Sequence, residues 1–258
     1  MFETPHISEA GDRALVVDLG DTIDPETNDR VRSLMLAVEG MDVPGISDLV
    51  PSYRSLLIAY DPTLTDHDKL VDIVTLADAN LDAAQIDSPR VVTLPTLYGG
   101  ERGPDLDYVA ERAGISVAEV IDLHSCVDYR VYMIGFAPGF PYLGGLSEKL
   151  ATPRLSTPRI RIPAGSVGIA EAQTGVYPSA SPGGWQLIGR TPVPLFEPDR
   201  QPPSLVVAGD YIKFSAIGTE VEYKAIQAAV ATGEYQLEVA LVEPNAPDSV
   251  PAPARDDV

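Results

Sequence analysis

Cysteine is almost missing from this chain. The single residue of that type, Cys126, cannot form a disulfide within the chain and excludes a cysteine-based zinc site. It follows an apolar helical pattern, so we expect it to be a small residue of the core. The three histidines, His6, His67 and His124, lie too far apart in sequence to show a metal-ligand spacing. We therefore expect no protein-bound structural metal.

Lysine is also scarce, although the chain is strongly charged. Only four of its 18 basic residues are lysine, and 38 dispersed acidic residues bring the net charge to −20. Dispersed carboxylates with few lysines are typical of a surface adapted to high salt, where counter-ions screen the self-repulsion. A charge of this sign excludes nucleic acid as an expected partner.

Long apolar runs are lacking too. No stretch approaches the roughly 20 apolar residues that span a bilayer, and the first residues have neither the basic head nor the apolar core of a secretory signal. We therefore expect a cytoplasmic protein with no membrane partner. A chain of 258 residues, 45% of them hydrophobic, can bury a core in one or two domains.

Residues 1–88 are predicted to form a small α+β domain. Residues 13–19 are typical of a β-branched strand, and Pro25 stands at the first position of a helix with apolar residues on one face. Two more strand patterns and a second helix pattern follow. This order of elements is the beginning of a split βαβ layout.

Residues 89–242 have a different character. Many short strand patterns, separated by glycine and proline turns, predict a barrel or a sandwich instead of a parallel α/β sheet. Ser116 and Glu119 form a capping box at the start of one helix. Residues 243–258 are polar and rich in proline, so a disordered tail is predicted there.

The segment from residue 135 to residue 192 is crowded with glycine, proline and aromatic residues. Between Ser125 and Leu195 there are six basic and three acidic residues, in a chain that is otherwise acidic. A segment that stays basic in such a chain is a candidate for binding an anionic group. Its glycines also allow a ligand to approach the backbone. The alternative is that the aromatic residues fill a barrel core and the glycines form its corners.

Two arginines of this segment are candidate substrate-binding residues. Arg159 and Arg161 alternate with isoleucines, so in a strand both guanidinium groups face the same way. Two such groups suit a carboxylate or a phosphate. A solvated face, or an ion pair with another protein chain, is the alternative.

Other polar residues complete the predicted site. Gln173 and Tyr177 can hydrogen-bond an amide-like substrate or support turns, Trp185 offers a flat apolar wall, and Arg190 adds a further cation. His124 is the histidine beside this segment and is the candidate acid or base, with a structural role as the alternative. No glycine-rich phosphate loop of the G-x-x-x-x-G-K-[ST] kind is present.

This segment resembles the signature of the KipI family, whose members are also described as the B subunit of 5-oxoprolinase or as allophanate hydrolase subunit 1. Weaker matching pieces extend the resemblance over nearly the whole chain except the tail. The strong pieces are Gly135–Leu146, Pro158–Gly168, Gln173–Pro178 and Ser181–Pro192. One departure is Glu171, which stands where family members usually carry glycine.

The resemblance implies a cyclophilin-like β-barrel after the α+β domain. It also implies two partners, which are a KipA-type subunit (the C subunit of 5-oxoprolinase) and a LamB/YcsF-type subunit (the A subunit of 5-oxoprolinase). Together these are associated with the ATP-dependent opening of 5-oxo-L-proline to L-glutamate. ATP, with Mg²⁺ as its counter-ion, is then expected to be shared with the partner subunits.

Two other functions are compatible with the same resemblance. KipI-type members are named for inhibition of a sensor histidine kinase, which needs a contact surface and no catalytic pocket. A role in urea carboxylase or allophanate hydrolase chemistry is the other alternative.

Overall fold

The computed structural model describes residues 1–81 and 88–242. The chain divides into two compact units, Met1–Asp87 and Ser88–Val258, and each is described by itself. The tail predicted to be disordered, residues 243–258, lies outside the described residues. Within the described part of the chain, no helix is long and apolar enough to cross a membrane.

The N-terminal unit is a four-stranded antiparallel sheet with two helices. The elements are β1 His6–Glu9, β2 Ala14–Asp18, α1 Pro25–Gly40, β3 Ile46–Pro51, β4 Ser55–Tyr60 and α2 His67–Asp78. The strands lie in the order β1-β2-β4-β3. Asp24 and Asp66 cap the helices by accepting hydrogen bonds from backbone amides of the first turn. The buried core of this unit is aliphatic and lies between the sheet and the helices.

The C-terminal unit contains ten described strands, three α-helices and a short 3₁₀ turn at Glu148–Leu150. The helices are α3 Leu106–Ala113, α4 Val117–Ser125 and α5 Glu220–Thr232. The strands are β5 Arg90–Tyr98, β6 Asp128–Ile134, β7 Pro141–Gly144, β8 Arg159–Ile162, β9 Ser166–Ala170, β10 Gln173–Val176, β11 Ser181–Gly183, β12 Gln186–Arg190, β13 Tyr211–Ile217 and β14 Val239–Leu241.

Seven of these strands close into a barrel. They follow the order β12-β9-β10-β7-β6-β13-β5, and the pairing of β12 with β5 completes the ring. β13 runs parallel to β5, whereas the other neighbours in the ring are antiparallel. The predicted α+β fold with a β-barrel is confirmed.

Strand β9 shows how the barrel separates two apolar layers. Val167 and Ile169 point into the main core, whereas Ala170 belongs to a second buried cluster on the outer side. Since successive side chains of a strand point to opposite faces, one short strand can serve both layers. A two-stranded ribbon, β8 with β11, adds Ile162 to this outer cluster.

The expectation that Cys126 belongs to the core is wrong, because its side chain is exposed. Helix α4 buries Val120 and His124, which are four residues apart and therefore on one face. Cys126 comes two residues later, at the cap of the helix, where its sulfur lies 3.5 Å from the carbonyl oxygen of Leu123. The histidine, and not the cysteine, takes the buried position.

Candidate functional site

An aromatic cluster lies on the outer side of the barrel wall. It consists of Phe140, Tyr142, Tyr177 and Trp185, with Phe140 at its centre. The ring centroid of Phe140 lies 5.1 Å from that of Tyr142, 5.5 Å from that of Tyr177 and 5.7 Å from that of Trp185, each in an edge-to-face arrangement. Aromatic quadrupoles favour this geometry, so the cluster is a rigid apolar wall.

Two glycines make room for this wall. Gly168 on β9 and Gly175 on β10 are directly opposite each other. A Cβ atom on Gly168 would lie 3.2 Å from Cβ of Trp185, and one on Gly175 would lie 3.1 Å from its ring. The paired glycines therefore let the indole lie flat against the strands.

The cluster has a polar end that faces two arginines. The hydroxyl of Tyr177 has a hydrogen bond to the backbone of Trp185, and burial raises the pKa of that hydroxyl while Arg154 and Arg159 act in the opposite direction. The guanidinium of Arg154 lies 5.9 Å from the ring centroid of Trp185, within the range of a cation–π contact. Arg154 was not among the predicted site residues, because no spacing pattern links it to them.

The two predicted arginines have different surroundings. Nη2 of Arg159 lies 2.7 Å and 2.9 Å from the two carboxylate oxygens of Asp105, and its Nη1 donates to the carbonyl of Trp185. Arg161 is exposed, and no carboxylate of residues 1–81 or 88–242 is paired with it. The structure therefore does not present them as an equivalent pair, since the charge of Arg159 is already neutralised.

Asp105 has a further contact that sequence reasoning missed. One of its oxygens accepts a hydrogen bond of 2.6 Å from the backbone amide of Leu187 on β12. Asp105 precedes helix α3 and is 54 residues from Arg159, so only the tertiary fold brings the two together. It links the start of α3 to the strand that follows Trp185.

The remaining predicted binding residues lie at both ends of the β9–β10–β12 wall. Gln173 begins β10 and is paired with Ala170, beside the turn that contains Glu171. Arg190 ends β12, and its Nε donates a hydrogen bond of 2.7 Å to the carbonyl of Ala164. Trp185 precedes the other end of β12, so the structure does not bring Arg190 to the aromatic cluster.

His124 lies inside the barrel, fully buried. Its Nδ1 is 2.7 Å from the hydroxyl of Tyr98, and its Nε2 is 2.8 Å from Oγ1 of Thr174. The hydroxyl of Thr174 donates to the carbonyl of Gly168. These bonds are satisfied when Nε2 carries the proton and Nδ1 accepts from Tyr98.

Burial lowers the pKa of His124 from 6.5 to about 3, because the interior penalises the charged ring. Both ring nitrogens are engaged in hydrogen bonds with core residues. The catalytic role of His124 stays a prediction, and the function proposed below does not use it. Its contacts are those of a residue that holds α4 against the barrel wall.

Two backbone strains mark the loops around the cluster. Phe136 has φ +65°, and the amide of Ala137 donates to the carbonyl of Gly135. This is a γ-turn with positive φ at its central residue, a rare and strained form. Glu171 has φ +50° in the two-residue turn between β9 and β10, a conformation that glycine adopts most easily. The latter strain is the physical reason why glycine suits the position of Glu171.

Comparison with known proteins identifies the family. Residues 5–206 match the model of the family described as carboxyltransferase domain, subdomain C and D. The chain belongs to this carboxyltransferase-domain family. The B subunit of 5-oxoprolinase from Bacillus subtilis is 42% identical over 85% of this chain and 95% of its own length. The resemblance seen in the sequence is therefore confirmed.

Solved structures of related proteins extend beyond this chain. The crystal structure of TTHA0988 superposes with a TM-score of 0.70 at 37% identity, over 80% of this chain and 40% of that chain. The Kluyveromyces lactis urea carboxylase superposes with a TM-score of 0.76 at 22% identity, over 92% of this chain and 24% of its own. This chain thus spans less than half the length of either one.

Proposed function

We propose that this chain is the B subunit of an ATP-dependent 5-oxoprolinase, which hydrolyses 5-oxo-L-proline to L-glutamate with a KipA-type subunit and with a LamB/YcsF-type subunit. The observation that carries the proposal is the 42% identity to the B subunit of the Bacillus subtilis 5-oxoprolinase, over 95% of that protein. The chain contributes part of a shared site and is not active alone.

The chemistry of the substrate suits the arginines beside the aromatic cluster. 5-Oxoproline has a carboxylate, which suits a guanidinium group. Trp185 is only 5% exposed, so in this proposal it supports the arginines instead of contacting the lactam ring. In this proposal Arg161 and Arg154 face the carboxylate or a phosphate, because neither has a carboxylate partner among the described residues. Gln173 orients the lactam, whereas Tyr177, which is 2% exposed and bonded to the backbone of Trp185, supports the wall.

Two of the predicted residues have other roles in this proposal. Arg159 pairs with Asp105 and donates to the carbonyl of Trp185, so it stabilises the aromatic cluster. Arg190 fastens the far end of β12 through Ala164. Both stabilise the site instead of contacting the substrate.

ATP is a co-substrate in this proposal, with Mg²⁺ as its counter-ion. Amide resonance makes the lactam a poor electrophile, so phosphorylation of its oxygen would lower the barrier to attack by water, provided that the developing charge is stabilised. Arginines of this chain suit phosphate oxygens. In this proposal ATP and Mg²⁺ are shared between this chain and its partner subunits.

The first experiment is 5-oxoproline-dependent ATP hydrolysis by this chain reconstituted with its two partner subunits, in multimolar KCl. Formation of glutamate and phosphate that requires all three subunits is the expected result. Well-folded subunits without turnover of 5-oxoproline would contradict the proposal. Turnover of urea or allophanate instead would favour the carboxyl-transfer alternative.

The arginines provide a sharper test in the same assay. Arg161→Ala should raise KM for 5-oxoproline at least tenfold with the thermal midpoint unchanged, because the side chain is exposed and carries no structural ion pair. Arg159→Ala should lower the thermal midpoint, because it leaves Asp105 unpaired. Arg112→Ala, an exposed arginine in the last turn of α3, is the matched control and should change neither quantity. An unchanged KM in Arg161→Ala would remove that residue from the site.

A further inference from the structure

The loop at residues 151–158 carries Arg154 over the aromatic cluster. The guanidinium of Arg154 lies 5.9 Å from the ring centroid of Trp185, and its charge acts on the hydroxyl of Tyr177. Most of the loop is exposed and belongs to no helix or strand. Because holding a long side chain in one place costs conformational entropy, the position of Arg154 over the ring depends on how the backbone of the loop is fixed.

Backbone hydrogen bonds hold this loop at two points. The amide of Thr152 donates to the carbonyl of Glu171 at 3.2 Å, and the amide of Glu171 donates back at 2.7 Å. Further along the loop, the amide of Leu155 donates to the carbonyl of Gly184 at 2.7 Å. The two points lie on either side of Arg154, so the backbone is fixed before and after it.

The side chain of Gln186 makes a third contact with the loop. Its Nε2 donates a hydrogen bond of 2.9 Å to the carbonyl of Pro153, in the peptide group that directly precedes Arg154. Gln186 is 3% exposed, so this bond forms at a low local dielectric, where hydrogen bonds are stronger. Since Gln186 follows Trp185 in the chain, two adjacent residues provide the ring beneath Arg154 and the bond that holds its peptide group.

The bond from Gln186 acts on the backbone dihedral that orients this peptide group. The ring of Pro153 fixes its own φ at about −65°, so the peptide plane between residues 153 and 154 turns mainly about ψ of Pro153. Holding the carbonyl oxygen holds that ψ, and with it the direction in which the Cα atom of Arg154 lies. Without the bond, the peptide group would be free to turn between its two fixed neighbours, and the guanidinium would lose its position over the ring.

We propose that Gln186 is a positioning residue for Arg154. Its amide holds the peptide group of Pro153 and thereby directs the guanidinium of Arg154 towards the carboxylate or the phosphate of the reaction. In this last respect the inference rests on the proposed function, in which Arg154 faces the anion. The placement of Arg154 over Trp185 by Gln186 does not depend on that function, and it is measured separately below.

The first test is the NMR signal of the Arg154 side chain in the full chain, labelled in arginine alone. The ring current of Trp185, the single tryptophan of the chain, displaces the proton signals of a group that lies over the indole. Gln186→Leu keeps the approximate volume of the side chain and removes the donor, and Gln186→Met is a second such variant if the branched leucine does not pack. We expect the δ-proton signals of Arg154, identified by their loss in Arg154→Lys, to lose at least about half of their displacement from the unfolded-chain value.

Thr191→Val is the matched control for this measurement. Thr191 is 2% exposed, and its hydroxyl accepts a hydrogen bond from the amide of Val193, beyond the other end of β12. The variant therefore loses a buried polar contact far along the strand, and the Arg154 signals should keep their wild-type displacement to within about a tenth. Unchanged Arg154 signals in Gln186→Leu, or equal changes in both variants, would overturn the proposal, as would wild-type signals without any ring-current displacement.

The second test is a double-mutant cycle in the reconstituted 5-oxoproline assay. Gln186→Leu should raise KM for 5-oxoproline about fivefold with kcat within about twofold of the wild type, since it weakens binding and leaves the chemistry unchanged. In the Arg154→Ala background it should change KM by less than about 1.5-fold, because Gln186 acts through Arg154. An equal rise in both backgrounds, or an unchanged KM in Arg154→Ala, would overturn the role towards the anion. If the wild-type complex does not turn over 5-oxoproline, the proposed function fails, and the NMR series still decides whether Gln186 positions Arg154.

Discussion

The two faces of the β9–β10 hairpin differ in their packing and in how their polar groups are paired. On the inner face, Thr174 completes a neutral hydrogen-bonded chain with His124 and Tyr98 inside an apolar core. On the outer face, the side chain of Trp185 packs against Gly168 and Gly175, beside arginines that remain partly exposed. The inner face is closed and its polar groups are hydrogen-bonded, whereas the outer face buries Trp185 and leaves the side chains of Arg154 and Arg161 exposed. Buried polar chains of the first kind stabilise a fold, and surfaces of the second kind bind ligands.

The largest expected effect lies on the inner face. His124→Ala removes a fully buried ring and leaves the hydroxyls of Tyr98 and Thr174 without their partner, so the free energy of unfolding should fall by about 3 kcal/mol. Chemical denaturation measures this loss. Thr232→Ala, on an exposed helix end, is the control and should leave the free energy of unfolding nearly unchanged. A loss below about 0.5 kcal/mol in His124→Ala would mean that the hydrogen-bonded chain of Tyr98, His124 and Thr174 does not stabilise the fold.

The inner face should also respond to pH. The pKa of His124 is about 3 in the folded chain and 6.5 ordinarily, so between these values the unfolded chain binds a proton that the folded chain does not. Stability is unaffected above pH 6.5 and falls as the pH is lowered, by about 2 kcal/mol between pH 7 and pH 5 from this residue. His124→Gln should lose this component, whereas His6→Gln, an exposed control, should retain it. Equal pH dependence in all three proteins would contradict the buried neutral histidine.

On the outer face, the ion pair between Asp105 and Arg159 should have the next largest effect on stability. Asp105→Ala leaves Arg159 and the amide of Leu187 without their acceptor, so we expect a loss of about 2 kcal/mol in the free energy of unfolding. Asp107→Ala, an exposed carboxylate two residues further on, is the matched control and should cost about 0.5 kcal/mol or less. Similar losses of unfolding free energy in both variants would show that the ion pair between Asp105 and Arg159 does not stabilise this part of the barrel.

A methyl group on the outer face tests the packing of Trp185. The added Cβ of Gly175→Ala would lie 3.1 Å from the indole and 3.3 Å from Phe140, so the cluster must shift at a cost of about 1 kcal/mol. Tryptophan emission should change at the same time, because Trp185 is the reporter. Gly40→Ala, where nothing lies within 4 Å of the added atom, should leave the emission as it is.

The smallest expected effect is a gain in stability. Glu171→Gly relieves the positive φ of the β9–β10 turn, and we expect the free energy of unfolding to rise by about 0.5 kcal/mol, since the relief of strain exceeds the entropy cost of glycine. Ala172→Gly in the same turn is the control and should be neutral or destabilising. A loss of stability in Glu171→Gly would contradict strain at this residue.

Much of the fold could be predicted because it depends on local patterns. The capping box at Ser116 and Glu119 is present at the start of α4, and the short strands separated by glycine turns form a barrel. The exposure of Cys126 could not be predicted, because Cys126 lies only two residues after His124, which is on the buried face of α4. A sequence pattern does not give the angle at which a short helix packs.

The candidate site was predictable in composition more than in geometry. Phe140, Tyr177 and Trp185 do form one cluster, but Arg190 lies at the other end of β12 from Trp185. Asp105 could not be found from sequence, because an ion pair across 54 residues leaves no periodic signal.

By itself, the sequence of this protein determined its family, its division into strand and helix patterns, and the basic, glycine-rich segment that carries the candidate site. These depend on residue order and on the local preferences of glycine, proline and apolar side chains. Only the tertiary structure decided which arginine is neutralised, that His124 is buried and neutral, and that the side chain of Phe136 is exposed. Charge state and exposure depend on neighbours that are distant in sequence, and folding alone brings those neighbours within contact.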